Sequence, residues 1–177
     1  VPEVSIRRAT PADAAALADV AAETFPLACP PGTLAENIHL FIEHNLSLEA
    51  FAGYLSQPDY RLWLAMIGGE VAGYAMAVHG EPTDPDIQNA VRHRPTLELS
   101  KMYVRAAHHG RGVSDSLLAA VMAEAEHSGV ASVWLGVNQH NERANRFYEK
   151  SGFALAGERF FRVGEVLEAD FVRERPL

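Results

Sequence analysis

Two stretches of the chain hold residues whose types and spacing could do chemistry. The first runs Glu98-Leu99-Ser100-Lys101-Met102-Tyr103-Val104-Arg105-Ala106-Ala107-His108-His109-Gly110-Arg111-Gly112-Val113. It reads as a strand that passes through a glycine-bearing loop into a helix. The first amides of a helix have no intrahelical acceptor, and the helix dipole adds partial positive charge at the same point. That combination suits a phosphate or pyrophosphate. Gly110 and Gly112 let a backbone approach such a ligand with no Cβ in the way. The same glycines also suit a purely structural turn, and the residues alone leave both readings open. No Gly-Lys-Ser/Thr follows, so this is not a Walker loop, and two glycines are too few for a dinucleotide fingerprint.

The second stretch is Asn141-Glu142-Arg143-Ala144-Asn145-Arg146-Phe147-Tyr148-Glu149-Lys150-Ser151-Gly152-Phe153. Spacings of three and four put Asn141, Ala144 and Tyr148 on one helix face. Phe147 and Phe153 read as core. Tyr148 taken by itself also reads as an amphipathic core tyrosine.

The elements that must position these groups are legible around them. Val4–Arg8 reads as a strand. Thr10-Pro11-Ala12-Asp13 is a helix start, with Thr10 as cap and Asp13 three residues on. An Ala-rich helix to about Thr24 follows, broken by Pro26, Pro30, Pro31 and Gly32. Helices are expected near Leu34–Asn45 and Leu48–Ser56. Arg61–Ile67 and Glu70–Val78 are strands joined at Gly68-Gly69, a hairpin signal. Glu81–Pro95 reads as a loop with one helical turn, and Thr96–Val104 as a strand. Val113, Leu117, Leu118, Val121, Met122 and Ala125 recur at helical spacing. Ser132–Val137 is a strand, Asn141–Lys150 a helix stopped by Gly152, and Phe153–Val172 a hairpin around Gly164-Glu165. Early hairpins followed by a β-loop-α-β unit predict an α/β fold: one mixed, mostly antiparallel sheet with helices on both faces.

Together the two stretches resemble motifs A and B of the GNAT (Gcn5-related N-acetyltransferase) superfamily. The family's loop runs Gln/Arg-x-x-Gly-x-Gly/Ala, against His109-Gly110-Arg111-Gly112-Val113-Ser114 here. Gly112 matches, His109 replaces Gln or Arg, and Ser114 replaces Gly or Ala. The family's Asn-x-x-Ala-x-x-Phe-Tyr-x-Lys-x-Gly-Phe pattern matches at Asn141, Ala144, Phe147, Tyr148, Lys150, Gly152 and Phe153, just after Trp134-Leu135-Gly136-Val137. The element order fits from about Val4 to Val172, and the chain is expected to form one such domain over residues 1–177.

The resemblance implies a sheet splayed between its fourth and fifth strands, with the pantetheine arm of acetyl-CoA lying in the gap. Main-chain groups of Met102, Tyr103 and Val104 would bond the acetyl and pantetheine portion. Backbone amides of His109, Gly110, Arg111, Gly112, Val113 and Ser114 would hold the pyrophosphate. Asn141 would bond the pantetheine arm, and Lys150 would lie near the CoA phosphates. Tyr148 would face the sulfur and assist the departing thiolate. Glu98 is the candidate base, by analogy with fourth-strand glutamates in relatives. An amine of lysine type, with a pKa of about 10.4, must lose a proton before it can attack, which costs roughly 4 kcal/mol at neutral pH. Family habit also implies a homodimer.

For the acceptor, Glu23-Thr24-Phe25, Glu98–Val104 and Trp134–Val137 look most similar to the bacterial spermidine/spermine-acetylating branch. No Lys or Arg occurs between Arg8 and Arg61, while Asp13, Asp19, Glu23, Glu36, Glu43, Glu49 and Asp59 do. This stretch reads either as solvated helix faces or as an acidic wall for a polycation. A protein N-terminus, a lysine or another small amine is the competing acceptor. A CoA-binding regulatory module is the non-enzymatic alternative.

A net charge of −8 argues against general nucleic-acid binding. No run of about 18 apolar residues predicts a membrane span. Val1-Pro2-Glu3-Val4-Ser5-Ile6 does not read as a signal peptide. Cys29 is the single cysteine, which excludes an internal disulfide and fits a cytoplasmic setting. No metal is expected: His108-His109 are adjacent, and His39 and His44 lack the four-residue ligand spacing. Cys29 lies among prolines without an adjacent His or Lys, a poor setting for a nucleophile.

Overall fold

The computed structural model describes residues 3–177, and of Phe161 the backbone alone. Val1 and Pro2, where the reading of the N-terminus as lacking a leader begins, lie outside the described residues. Seven strands form one sheet in the order β1-β2-β3-β4-β5-β7-β6. They are β1 (Val4–Arg8), β2 (Tyr60–Ile67), β3 (Glu70–His79), β4 (Thr96–Val104), β5 (Ser132–Asn138), β6 (Ala154–Val163) and β7 (Val166–Pro176). Only β4 and β5 pair in parallel; the other neighbours are antiparallel.

Helices cover both faces. On one side α5 (Val113–Ser128) buries Leu117, Leu118, Val121, Met122 and Ala125 against Trp63, Ala65, Ala75, Ala77, Leu97 and Leu99. On the other, α1 (Ala14–Ala28), α2 (Ala35–Asn45) and α3 (Leu48–Ser56) pack over Leu62, Leu64, Tyr74 and Met76. Adjacent β2 and β3 residues thus serve opposite cores, as period-two alternation requires. Short α4 (Pro85–Ala90) packs with Trp134 and Val172 in a third, smaller cluster. The last helix is α6 (Glu142–Lys150).

The first helix runs past the predicted stop at Thr24. Pro26 lies inside its last turn, where few amide bonds remain to be lost. The extension carries Phe25 onto Phe41, ring centroids 4.4 Å apart, and brings Phe25 and Ala28 to the open end of β4. The final strand likewise continues beyond Val172 to Pro176, because β7 pairs with β5 along that whole length. No described helix is long and apolar enough to cross a membrane.

Candidate active site

The sheet is open in its middle. β4 and β5 pair only at Thr96↔Ser132, Leu97↔Val133 and Glu98↔Trp134. Side chains close that end: Thr96 Oγ1 lies 2.8 Å from Ser132 Oγ, and Ser132 donates to His93 O at 2.7 Å. Beyond Glu98 the two strands separate. A β-bulge sits at the point of separation, since Ala77 pairs with Leu99 and Met76 with Lys101, leaving Ser100 as the extra residue. The bulge reverses the alternation of β4. Met102 and Val104 then pack against the α5 core, and Tyr103 against the α1 side.

The bulge also fixes which main-chain groups face the opening. Arg105 N–H donates to Ala72 O at 2.8 Å, flanking the Gly73↔Val104 pair. By antiparallel alternation, Tyr103 exchanges its main-chain bonds with β3, while Met102 and Val104 turn theirs toward β5. Tyr103 thus contributes its ring to the cavity wall, and the main-chain groups turned to the opening are those of Met102 and Val104.

Two cavities meet at the opening. One is lined by Leu99–Tyr103 of β4, Leu135–Asn138 of β5, the end of α1 with Cys29 and Pro30, and Asn141, Ala144, Tyr148, Arg159, Val163 and Asp170. The other continues over Met102, Tyr103, Val104, His109, Ser114, Asn141, Arg143, Ala144, Phe147 and Tyr148. Tyr148 lines both. Its ring is held edge-on by Phe147 and Phe153, with centroids 5.4 and 5.8 Å away. Asn141 caps α6, its Oδ1 accepting from Ala144 N–H at 3.2 Å. Its amide nitrogen is therefore the group it can offer a ligand.

At the far end lies the glycine loop. Gly112 is the N-cap of α5 with φ of 77°, a left-handed conformation that favours glycine, and an added Cβ would meet open space there. His109 Nε2 lies 2.9 Å from Val104 O, and Arg143 Nη1 lies 2.6 Å from His109 Nδ1. The imidazole thus joins β4, the loop and α6. Arg105 serves a structural end: its guanidinium pairs with Asp19 at 3.1 Å and Glu23 at 2.8 Å.

Charges alternate at the inner end. Burial pushes the Glu98 carboxyl up, opposed by Arg159 and Lys101. Burial pushes the Lys101 ammonium down, opposed by Glu98. Asp170 is pushed up to about 6 by burial, against the pull of Arg159, whose Nε lies 3.4 Å from Asp170 Oδ2. The Tyr148 and Tyr103 hydroxyls are held well above the usual phenol range by burial. Cys29 is raised to about 11 by burial and the Glu168 charge, so it stays a thiol at neutral pH.

The profile of the acetyltransferase (GNAT) family matches residues 18–153. The chain belongs to the GNAT acetyltransferase family. An uncharacterized N-acetyltransferase of Mycobacterium tuberculosis is 44% identical over 165 residues, covering 93% of this chain and 98% of that protein. Among solved structures, the PaiA N-acetyltransferase of Thermoplasma acidophilum, in complex with coenzyme A, superposes with a TM-score of 0.79 at 19% identity, covering 99% of both chains. A ribosomal-protein-alanine N-acetyltransferase from Brucella melitensis gives 0.65 at 25% identity, covering 98% of this chain and 99% of that one.

In this GNAT chain the opening gathers Met102, Tyr103, Val104, His109, Ser114, Asn141 and Tyr148. Gly110, Arg111, Gly112 and Val113 form the loop and helix start between His109 and Ser114. Two expected residues stand apart. Lys150 is exposed at the C-terminal end of α6 and lines neither cavity, whereas Arg143, at the other end of that helix, approaches the loop. Glu98 lines a neighbouring cavity with His79, Glu81, Asp84, Trp134 and Arg159. Lys101, Asn138, Arg159 and Asp170 line the opening without having been singled out from the sequence.

The basic-free stretch walls this site with the end of α1 and the residues just after it, from Thr24 to Pro30, and not with its acidic residues. Asp13 pairs with Arg7, and Asp19 and Glu23 with Arg105. None of its seven carboxylates is among the residues lining the two cavities.

Proposed function

We propose that this chain transfers the acetyl group of acetyl-CoA directly to an amine, with the donor seated in the opening between β4 and β5. The observation that carries the reading is Tyr148. It is 8% exposed and lines both cavities at the place where β4 and β5 have ceased to pair. In this reading the pantetheine arm runs along the gap-facing main chain of Met102 and Val104. The pyrophosphate rests on the amides of the His109–Ser114 loop, with Arg143 alongside and Asn141 offering its amide nitrogen. Lys150 would act on CoA only through long-range charge.

Tyr148 would supply a hydrogen bond to sulfur as negative charge builds there. Its raised pKa means that it keeps its proton at neutral pH and can donate. A thiol of pKa about 8.5 is more acidic than a tyrosine phenol near 10, so the thiolate's proton can come finally from solvent. A main-chain N–H at Met102 could polarise the thioester oxygen. Cys29 remains a thiol, which favours direct attack over an acetyl-enzyme.

For the acceptor we infer a small cationic amine, polyamines being the first class to test. Support for a cation now comes from Glu98 and Asp84 in the cavity next to the opening, where Glu81 is paired with Arg94, not from the helices of the N-terminal half. Dimer formation and a cytoplasmic setting belong to the same proposal. The test is release of CoA thiol from acetyl-CoA, with spermidine, spermine, lysine peptides, peptides with N-terminal alanine and aminoglycosides side by side. Turnover with polyamines, rising toward pH 8–9, is expected. Turnover only with another amine would keep the transferase and discard the polyamine. Tight CoA binding without turnover on any amine would favour a regulatory CoA-binding module.

A further inference from the structure

Acetyl transfer needs a group to take the acceptor's proton, and the inference drawn here rests on that reading. Glu98 shares no cavity with Tyr148. Asp170 does. It lies on β7, paired with Asn138 of β5 on one side and Arg159 of β6 on the other. The residue is 3% exposed. Its Oδ2 faces Arg159 Nε at 3.4 Å, and its Oδ1 has no hydrogen-bond partner among the described residues. An oxygen in that condition carries an uncompensated desolvation cost. A donor brought by a ligand would remove it.

The surroundings hold the carboxylate in place. The Arg159 guanidinium stacks 5.6 Å from the Trp134 ring and lies across Gly136. A Cβ at residue 136 would come within 2.5 Å of Arg159 Nη2, so only glycine lets the arginine lie there undisturbed. Asp170 is therefore oriented by a clamped cation, lines the cavity that Tyr148 also lines, and keeps one oxygen without a partner among the described residues.

We propose that Asp170 receives the acceptor's ammonium at Oδ1 and takes its first proton. The neutral nitrogen then attacks the thioester carbon, forming the C–N bond. The C–S bond breaks, and its electron pair leaves on sulfur. The second nitrogen proton is lost, the thiolate gains one with help from Tyr148 or solvent, and Asp170 returns its proton to water. The products are the amide and CoA thiol, with one proton released. Arg159, Glu168, Lys101, Tyr103, Tyr148 and Cys29 are the charged or titratable groups around Asp170. Arg159 favours its ionised form and Glu168 opposes it.

The test measures kcat and kcat/KM from pH 5 to 9 for wild type, Asp170→Asn and Asp170→Glu, using an amine that the wild type acetylates, with CoA affinity by calorimetry for each. Wild-type kcat/KM should fall on the acid side with a midpoint near pH 6. Asp170→Asn should lose about 100-fold in kcat and lose that limb while binding CoA normally, and Asp170→Glu should recover part of both. An Asn variant with full turnover and the same limb would overturn the assignment. So would a wild type with no limb between pH 5 and 7, whether or not the Asn variant folds. Absence of turnover in the wild type with every amine is a different result: it removes the acetyl-transfer reading, and this inference with it.

Discussion

Arg143 fastens α6 to the glycine loop through His109, its Nη1 lying 2.6 Å from the imidazole Nδ1. An arginine can only donate, so Nδ1 accepts and Nε2 carries the hydrogen given to Val104 O. One ring thereby sets the spacing between the end of β4, the loop and α6. Arg143→Ala removes both that tie and the cation that α6 brings to the loop. CoA affinity is expected to fall about 10-fold, in line with loss of a hydrogen bond to a charged group. Raising the salt should narrow the gap between variant and wild type. Calorimetry at two ionic strengths checks this, and equal affinities would contradict the role given to the loop.

Gly112→Ala separates conformation from ligand contact. An added Cβ meets nothing within 4 Å in the protein itself. The left-handed φ of 77° should cost about 1–2 kcal/mol of stability. CoA binding should suffer more than that, because the methyl would stand where a phosphate approaches the backbone. Thermal unfolding with and without CoA distinguishes the two losses. A variant less stable by the same amount in both states would place the phosphate elsewhere.

Tyr148→Phe removes only the hydroxyl and leaves the ring's contacts with Phe147 and Phe153. Stability and CoA affinity should hardly change. Turnover should drop by about 10- to 100-fold, at the lower end of what a positioned acid contributes. Unchanged kcat would remove Tyr148 from the chemistry.

Asp170 should make the protein less stable at neutral pH than it could be. A carboxyl whose folded pKa, about 6, lies above the unfolded value of about 3.9 binds protons more tightly when folded. Its unfavourable contribution is thus fully present above pH 6 and is relieved as pH falls toward 4. Asp170→Asn is expected to raise Tm at pH 8 and to lose most of that advantage by pH 4. Calorimetric scans at the two pH values test it. A lower Tm at pH 8 would mean that the contact with Arg159 outweighs the burial.

Much of this opening is legible in the sequence. The apolar period of Val113–Ala125, the glycines before it and the Asn141–Phe153 pattern located both edges of the opening, because helix spacing and caps are local signals. The bulge at Ser100 was not legible. It depends on pairing with β3, and it decides that Met102 and Val104, rather than Tyr103, turn their main chain to the gap. The distance of Lys150 from both cavities was hidden for a similar reason. A motif match gives position along α6, but only packing shows which end of that helix meets the loop. Arg159 and Asp170 left a usable trace: counting outward equally from the Gly164-Glu165 turn puts them opposite each other, as they are in the β6–β7 register. Their convergence on the cavity depends on β7 lying beside β5, a long-range pairing with no local signature.

The most direct test of the account is a crystal structure of the protein with CoA bound. It should show the pantetheine arm between Met102–Val104 and Gly136–Asn138, the pyrophosphate on the amides of residues 109–114, and the sulfur within hydrogen-bond reach of Tyr148. CoA bound outside that opening, or with its sulfur far from Tyr148, would contradict the assignment of the site.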